Sequence, residues 1–258
     1  MKFGICNLSV IPVHAEPSDK SEMVSQILFG ESFEILETSK QWLRIHTTAD
    51  EYVGWISQKQ MTYVNADYIK QVEQPPFTFL LDLTANATGK TGSVILLIGS
   101  SLPFYKDQKF RIGEEEFETG GDVIQSGNDD LSNRISWFAL KFAGAPYLWG
   151  GRSLFGIDCS GFTNVVFKLA GIRLRRDAWQ QSEQGTLISF IDQARAGDLA
   201  FFHNEEEKIT HTGIILEGKK IIHASGRVRV DTIDHFGIYN DEEKRYTHQL
   251  RLIRRMIG

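Results

Sequence analysis

Cys159 stands where a glycine-rich stretch gives way to a helical pattern, and a thiol placed there can act as a nucleophile. The stretch reads Pro146-Tyr147-Leu148-Trp149-Gly150-Gly151-Arg152-Ser153-Leu154-Phe155-Gly156-Ile157-Asp158-Cys159-Ser160-Gly161-Phe162. Beyond it Phe162, Val165, Val166 and Leu169 recur at i, i+3, i+4 and i+7, and Gly171 falls where such a helix would stop. The cysteine is thus expected in the first helical turn. Unpaired backbone N–H groups and the positive helix end favour a thiolate there, which should bring the thiol below its free value of roughly 8.5. Such a nucleophile needs a partner to handle its proton.

Two of the seven histidines are spaced to supply one. His211 and His223 open and close neighbouring strand-like runs joined by Glu217-Gly218-Lys219. Register decides whether they meet. A two-residue turn at Gly218-Lys219 pairs His223 with Ile214 and sends the two side chains to opposite faces. A loop of odd length centred on Gly218 pairs His223 with Gly213 instead, making the histidines diagonal neighbours on one face with Cβ atoms roughly 7 Å apart. The second register is the expectation. In it His211 serves as general base, while His223 orients its ring and fixes its tautomer. His14, His46, His203, His235 and His248 read as ordinary core or surface histidines. A zinc site built from Cys159, His211 and His223 is the rival chemistry. Its ligands would have to come from a helix terminus and two strands, with no carboxylate at metal spacing.

The elements that must position these residues fall into three stretches. A chain of 258 residues, 41% hydrophobic, allows one large or two to three small domains. Residues 1–62 contain short strand-like runs, Val10 to Val13, Met23 to Leu28, Ser32 to Leu36, Trp42 to His46 and Tyr52 to Ile56, spaced as in a small barrel. Residues 63–74 are polar and end at Pro75-Pro76, which reads as a linker. Residues 75–126 again give short strands between glycines: Phe77 to Leu83, Ser93 to Gly99, Leu102 to Tyr105, Lys109 to Ile112 and Glu116 to Glu118. From 127 to 258 the texture changes. A helix over Ile135 to Phe142, the Cys159 helix, and then strands at Gly197 to Phe202, His211 to Leu216, Lys220 to Ala224 and Gln249 to Ile253 describe an α+β domain.

Charge and hydropathy exclude several function classes. The formal charge of −5 is mild, and the basic runs Arg173 to Arg176 and Arg251 to Arg255 are short and mixed with apolar residues, which argues against a nucleic-acid partner. No apolar run approaches the roughly 20 residues of a membrane span. Met1 to Val13 makes a poor signal peptide, so a cytoplasmic location is expected unless a leader has been removed. Cys6 reads as a small buried hydrophobe, and a disulfide framework is not indicated.

Taken together, Tyr147-Leu148-Trp149-Gly150-Gly151, Asp158-Cys159-Ser160-Gly161-Phe162, Gly197-Asp198-Leu199, His211-Thr212-Gly213-Ile214 and Ile222-His223-Ala224 resemble the NlpC family of papain-like cell-wall cysteine peptidases. Leu28-Phe29-Gly30-Glu31, Gln41-Trp42-Leu43-Arg44-Ile45 and Gly54-Trp55-Ile56 resemble a bacterial SH3-like domain. With Arg176-Asp177 after the nucleophile helix, the whole is similar to the gamma-D-glutamyl-L-diamino acid endopeptidases. The resemblance implies a papain-like α+β peptidase domain preceded by one or two all-β SH3-like barrels, the second degenerate. It implies hydrolysis of the bond between gamma-D-glutamate and diaminopimelate or lysine in peptidoglycan stem peptides with a free N-terminal L-alanine, in murein recycling, by a monomer needing neither metal nor cofactor. By position, Cys159, His211 and His223 are catalytic, and the Tyr147 hydroxyl joins the Cys159 N–H as oxyanion donors. Asp158 would receive the substrate ammonium, or else be a helix cap, and Ser160 is a second substrate-binding neighbour of the nucleophile. Glu31 and Tyr52 would close the amine end of the cleft, or else be surface loop residues. Asp177 matches a substrate-contacting position, although Ala178 follows it where relatives often carry serine. Trp149 would wall the cleft or simply pack. A catalytically silent wall-peptide binder and an acyltransferase on the same scaffold are the alternatives.

Overall fold

The computed structural model of the chain describes residues 2–126 and 131–257. Two compact units divide it, Met1–Asn128 with Trp149–Leu154, and Asp129–Leu148 with Phe155–Gly258. The boundary expected between residues 126 and 127 ends on positions outside the described residues.

In the first unit, β1 (Lys2–Ile5), β2 (Val10–His14), β3 (Met23–Leu28), β4 (Ser32–Ser39), β5 (Trp42–Thr47), β6 (Val53–Ser57) and β7 (Thr62–Val64) form an antiparallel sheet ordered β3-β2-β6-β5-β4-β1-β7. Bulges at Val13/His14 and Ile35/Glu37 bend its strands. One face then closes over Cys6, Ile11, Val13, Ile27, Phe33, Leu43, Ile45 and Ile56.

Residues 63–74 are not an open linker. Thr62–Val64 pairs with β1, and Asn65 accepts a hydrogen bond from the Tyr68 N–H at 2.8 Å, capping α1 (Ala66–Val72). Seven residues are too few for a helical period to show in sequence. The helix stops just short of Pro75-Pro76, as proline demands. Its Tyr68 and Ile69 pack with Ile5 and Phe29 and with Leu80, Leu96, Phe110 and Phe117 of the following segment, so both all-β stretches share a core.

That second stretch holds β8 (Thr78–Leu80), β9 (Thr84–Gly89), β10 (Gly92–Leu97), β11 (Lys109–Ile112), β12 (Glu115–Glu118) and β13 (Val123–Gln125), as a β10-β9-β12-β11 sheet and a β13-β8 pair. Leu102 to Tyr105, expected as a strand, is a turn in which Phe104 takes φ 59°.

Trp149–Leu154 is fastened to β3 and to the turn after it. Arg152 is 2% exposed. Its Nη1 and Nη2 donate to Glu31 Oε2 at 2.8 Å and Oε1 at 3.0 Å, and Nη1 also reaches the Gln26 carbonyl at 2.7 Å. The Arg152 N–H bonds Gln26 Oε1 at 2.8 Å. Gly150 takes φ 76°, and a Cβ there would lie 2.3 Å from the Met23 carbonyl oxygen, so both conformation and space require glycine.

The second unit contains α2 (Leu131–Leu140), α3 (Cys159–Leu169) and α4 (Ala178–Gln181), with β14 (Thr186–Ile188), β15 (Leu199–His203), β16 (Ile209–Leu216), β17 (Lys220–Ser225), β18 (Arg227–Ile233), β19 (Gly237–Asn240) and β20 (Arg245–Arg255). The sheet runs β14-β20-β15-β16-β17-β18-β19. Strand β20 is long enough to pair with β15 through Leu252 to Arg254 and with β19 through Arg245 to Gln249, which closes the sheet into a barrel. Ala200, Phe202, Ile215, Ile221, Ile233, Ile238 and Ile253 come from all six strands of that ring and fill its interior. Helix α3, buried over nearly its whole length, packs against β16 and β17.

Removing one member of a fully buried ion pair leaves the other charge uncompensated, at a cost of about 3–5 kcal/mol. Glu31→Ala should therefore lower the denaturant midpoint of the first unit by a corresponding amount. An unchanged midpoint would show that Arg152 does not depend on this carboxylate.

Candidate active site

Helix α3 starts at Cys159 because Asp158 caps it. Asp158 lies in extended backbone (φ −90°, ψ 177°), and its Oδ1 accepts the Gly161 N–H at 2.7 Å. The same carboxylate is gripped by Arg176, 1% exposed, through Nη1–Oδ1 at 3.1 Å and Nη2–Oδ2 at 2.6 Å. Arg176 Nη1 also donates to Ser160 Oγ at 2.9 Å. Gln181 on α4 ties the assembly down, donating to the Ser160 carbonyl at 3.0 Å and accepting from Thr163 Oγ1 at 2.7 Å. Asp158 and Ser160 are thus both built into the anchor of the helix start. Asp177 precedes α4, where its N–H bonds Gln180 Oε1 at 3.1 Å.

Cys159 is 7% exposed, and its Sγ rests 3.9 Å from the carbonyl oxygen of Thr210, the residue before His211. Burial pushes the thiol up to about 12, and the Asp158 carboxylate adds to the rise. Backbone groups of Thr212 and Ser160, with Arg176, offset it in part. The depressed thiol expected at a helix start is not what the structure gives. A helix end is worth about 0.3–1 kcal/mol to a nearby charge and at most about 2, whereas burying an anion costs several. On this balance burial outweighs the helix end and favours the neutral form of the Cys159 thiol.

The histidine hairpin adopts the odd-loop register. Gly213 pairs with His223 and Leu216 with Lys220, leaving Glu217, Gly218 at φ 72° and Lys219 at φ 59° as the turn. Alternation then puts His211, Gly213 and Ile215 on one face with Ile221 and His223. Gly213 leaves the space between the imidazoles open. A Cβ there would sit 2.8 Å from His223 Cβ. The rings meet nearly at right angles (87°), with His211 Nε2 and His223 Nδ1 2.8 Å apart.

Two further groups complete this cluster. Asp231 pairs across β18 with Ile221, diagonal to His223, and its Oδ2 lies 2.9 Å from His223 Nε2. Arg229 Nη2 donates to the other oxygen, Oδ1, at 2.9 Å. Burial alone would raise the Asp231 carboxyl, but the hydrogen bonds from His223 and Arg229 prevail and hold it below the usual carboxylate range. His248, on the closing strand, stacks on His211 at 4.1 Å and 25°. Burial, and then the neighbouring histidines, depress His211 well below the ordinary imidazole range. His248 is lowered to about 4 by burial and by His223. His211 is accordingly neutral at physiological pH.

Tyr147 is held at the mouth of the site by its N–H to the Gly226 carbonyl at 3.0 Å and by a bridge to Ile157. Its phenol is raised to about 12, by burial first and then by Cys159 and Asp158. The second unit therefore assembles Cys159, His211, His223, Tyr147, Asp158 and Ser160. Glu31, Tyr52 and Trp149 belong to the first. Glu31 holds Arg152 there, Tyr52 is half-buried, donating its N–H to Thr47 Oγ1 at 2.8 Å and accepting the Thr47 N–H at 2.9 Å, and Trp149 is 61% exposed with its Nε1–H on Glu22 Oε1 at 2.6 Å.

Among the described residues, His211, His223 and His248 bring imidazole nitrogens within 4.8 Å of one another, a spacing that could hold a metal ion. The geometry opposes it. The nearly parallel stacking of His211 and His248 runs their in-plane lone pairs side by side instead of toward one point. No helix among the described residues is long and apolar enough to cross a membrane.

Asp231 and His248 carry no motif of their own. A strand pair and the closure of the sheet bring them to the site, and sequence spacing shows neither.

Comparison with known proteins agrees with this architecture. Residues 144–251 match the NlpC/P60 family, and residues 13–61 match the bacterial dipeptidyl-peptidase SH3 domain. The gamma-D-glutamyl-L-lysine dipeptidyl-peptidase of Bacillus subtilis (strain 168) is 29% identical over 236 residues, covering 86% of this chain and 75% of that one. Its namesake from Bacillus cereus (strain ATCC 10987 / NRS 248) is 26% identical over 235 residues, covering 80% and 68%. A crystal structure of an NlpC/P60 family protein from Bacillus cereus ATCC 10987 has the same fold, with a TM-score of 0.82 at 19% identity over 99% of this chain and 100% of that one. Fold and matched domains are those of a cysteine peptidase of NlpC/P60 type. The chain carries an NlpC/P60 domain with an N-terminal SH3 domain of bacterial dipeptidyl-peptidase type, and it is a peptide-bond hydrolase.

A histidine whose folded-state value lies below its unfolded one takes up its proton first in the unfolded chain. The stability it contributes is complete above the unfolded value and is lost as pH falls below it. For His248, lowered from 6.5 to about 4, the loss across that window is on the order of 3 kcal/mol, with His211 adding in the same direction. The melting temperature should therefore fall as pH drops from 6.5 toward 4, and His248→Phe, which keeps a stacked ring without a titrating nitrogen, should make the fall shallower. An identical slope in wild type and variant would contradict the assignment.

Proposed function

We propose that the protein hydrolyses the bond between gamma-D-glutamate and the following L-diamino acid, lysine or diaminopimelate, in peptidoglycan stem peptides whose N-terminal L-alanine is free, in recycling of those peptides. One observation carries the catalytic half of this reading: a buried histidine pair on one barrel face, joined at 2.8 Å, with the sulfur of a helix-start cysteine 3.9 Å from the carbonyl oxygen of Thr210, the residue before His211. The substrate half is supported by relatives named gamma-D-glutamyl-L-lysine dipeptidyl-peptidase and dipeptidyl-peptidase 6, which span most of the chain.

The chemistry follows from the two neutral partners. His211 Nε2 is engaged by His223, so Nδ1 is the nitrogen left to take the thiol proton. As the proton moves, the sulfur attacks the gamma-carbonyl carbon, and the electron pair of the C=O settles on oxygen. The N–H of Cys159 and the hydroxyl of Tyr147 are the donors for that oxyanion. The imidazolium then protonates the leaving amine as the C–N bond breaks, giving a thioester. Water, deprotonated by the same His211, attacks the thioester, releasing the dipeptide acid and restoring the thiol. Starting from a neutral pair, the protein separates charge only when substrate is in place.

Asp158 is assigned to the substrate ammonium. Arg176 takes an oxygen of this carboxylate with each of its two terminal nitrogens, so an ammonium would join a charge-compensated pair.

The test uses L-Ala-gamma-D-Glu-diaminopimelate, the corresponding L-lysine peptide and the N-acetylated form of each. Cleavage of the free-amine peptides at the gamma-glutamyl bond is expected, with a fall of at least about 100-fold on N-acetylation and loss of turnover in Cys159→Ala. Equal cleavage of acetylated and free peptides would defeat the amine requirement. Accumulation of a transferred dipeptide instead of free acid would make the protein an acyltransferase.

A further inference from the structure

The mechanism above needs the lone pair of His211 on Nδ1, and a neutral imidazole bonded to a second neutral imidazole does not by itself decide where its proton sits. Two arrangements satisfy the 2.8 Å contact equally. In one, His211 donates from Nε2 to a bare His223 Nδ1, which leaves His211 Nδ1 free to accept. In the other, His223 donates from Nδ1 to a bare His211 Nε2, and the proton of His211 then occupies Nδ1, where a base is required. Only the first is competent.

Asp231 breaks the tie. Its Oδ2 stands 2.9 Å from His223 Nε2, its side chain is 3% exposed, and Arg229 holds the other oxygen. An ionised carboxylate only accepts, so His223 must carry its proton on Nε2. A neutral His223 is then bare at Nδ1 and can only accept from His211 Nε2–H. We infer that Asp231 is a positioning residue that, acting through His223, fixes His211 in the tautomer whose Nδ1 can take the thiol proton. The relay comprises a cysteine, two histidines and an aspartate, with the charge confined to its far end. The same carboxylate stabilises the imidazolium formed during attack, across two hydrogen bonds. Without it, an amide at 231 could donate to His223 Nε2 and drive both rings into the opposite tautomers, as loss of the orienting carboxylate does in serine peptidase triads.

This inference rests on Cys159 and His211 being nucleophile and base, and the experiment separates the two claims. The full-length protein, labelled with 15N in its histidine rings, is examined by NMR at neutral pH, with kcat and KM measured on L-Ala-gamma-D-Glu-diaminopimelate. Wild type is expected to show a proton on His211 Nε2 and none on Nδ1. Asp231→Asn is expected to move the proton to Nδ1 and to lower kcat at least about tenfold while KM stays within about twofold. A melting curve shows whether the variant is folded. If it is not, the wild-type spectrum decides alone, because a proton on His211 Nδ1 there overturns the inference. So does a folded Asp231→Asn with wild-type tautomer and kcat. Failure of the underlying reading shows differently, as turnover that survives in Cys159→Ala.

Discussion

An ionised carboxylate inside a β-barrel is expensive, and the catalytic end of this protein is arranged around making one tolerable. Asp231 extends the inner face that carries Ile221 and Ile233, where an uncompensated charge would cost several kcal/mol. Arg229 and His223 supply the compensation, and His223 in turn occupies His211. Each member of this chain is satisfied by the next, so the histidines are held in position before any substrate arrives. The apolar barrel core beneath and the stacked His248 keep water from the cluster and lower the affinity of His211 for a proton. His211 is neutral because it is buried, and oriented because the carboxylate behind it is charged.

The same device recurs where the chain must hold an irregular segment. Arg176 fastens the Asp158 cap and Ser160, and so fixes the first turn of the helix that begins at Cys159. Arg152 fastens Trp149–Leu154 to Glu31 and Gln26 within the first unit. Both arginines are almost completely buried, and each meets its carboxylate with two nitrogens. Guanidinium suits this work because its planar fork matches a carboxylate, and it also has donors to spare for a backbone carbonyl or a hydroxyl. Such pairs add little net stability over apolar packing, but each is satisfied in one geometry.

Much of the site could be read from the sequence because its logic is local. The period of Phe162, Val165, Val166 and Leu169 ends upstream at a residue able to cap, and the odd loop Glu217-Gly218-Lys219 sets the hairpin register without help from the rest of the fold. What sequence could not show is tertiary. The thiol's burial overrides the helix end that favours a thiolate, and burial has no signature within a few residues of Cys159. His248 reads as an ordinary histidine until the sheet closes and brings its strand beside His211. Asp231 lies between Val230 and Thr232 in a stretch where the sequence suggests no element, and its partner His223 is a diagonal neighbour on the adjacent strand. The short helix over Ala66–Val72 escaped for a different reason: its apolar residues find their partners in distant strands, not in a visible period.

The central claim is that this site rests as a neutral thiol beside a neutral, oriented imidazole, with Asp158 paired to Arg176 and Asp231 to Arg229. Thiolate absorbance in the ultraviolet, recorded against pH for the ligand-free protein with Cys159→Ser subtracted, tests it directly. The structure calls for no thiolate signal from Cys159 between about pH 5 and about pH 9, with the rise deferred to strongly alkaline solution. A thiolate plateau already present near pH 6 would mean a preformed ion pair, and the account of a charge-free resting site would be wrong.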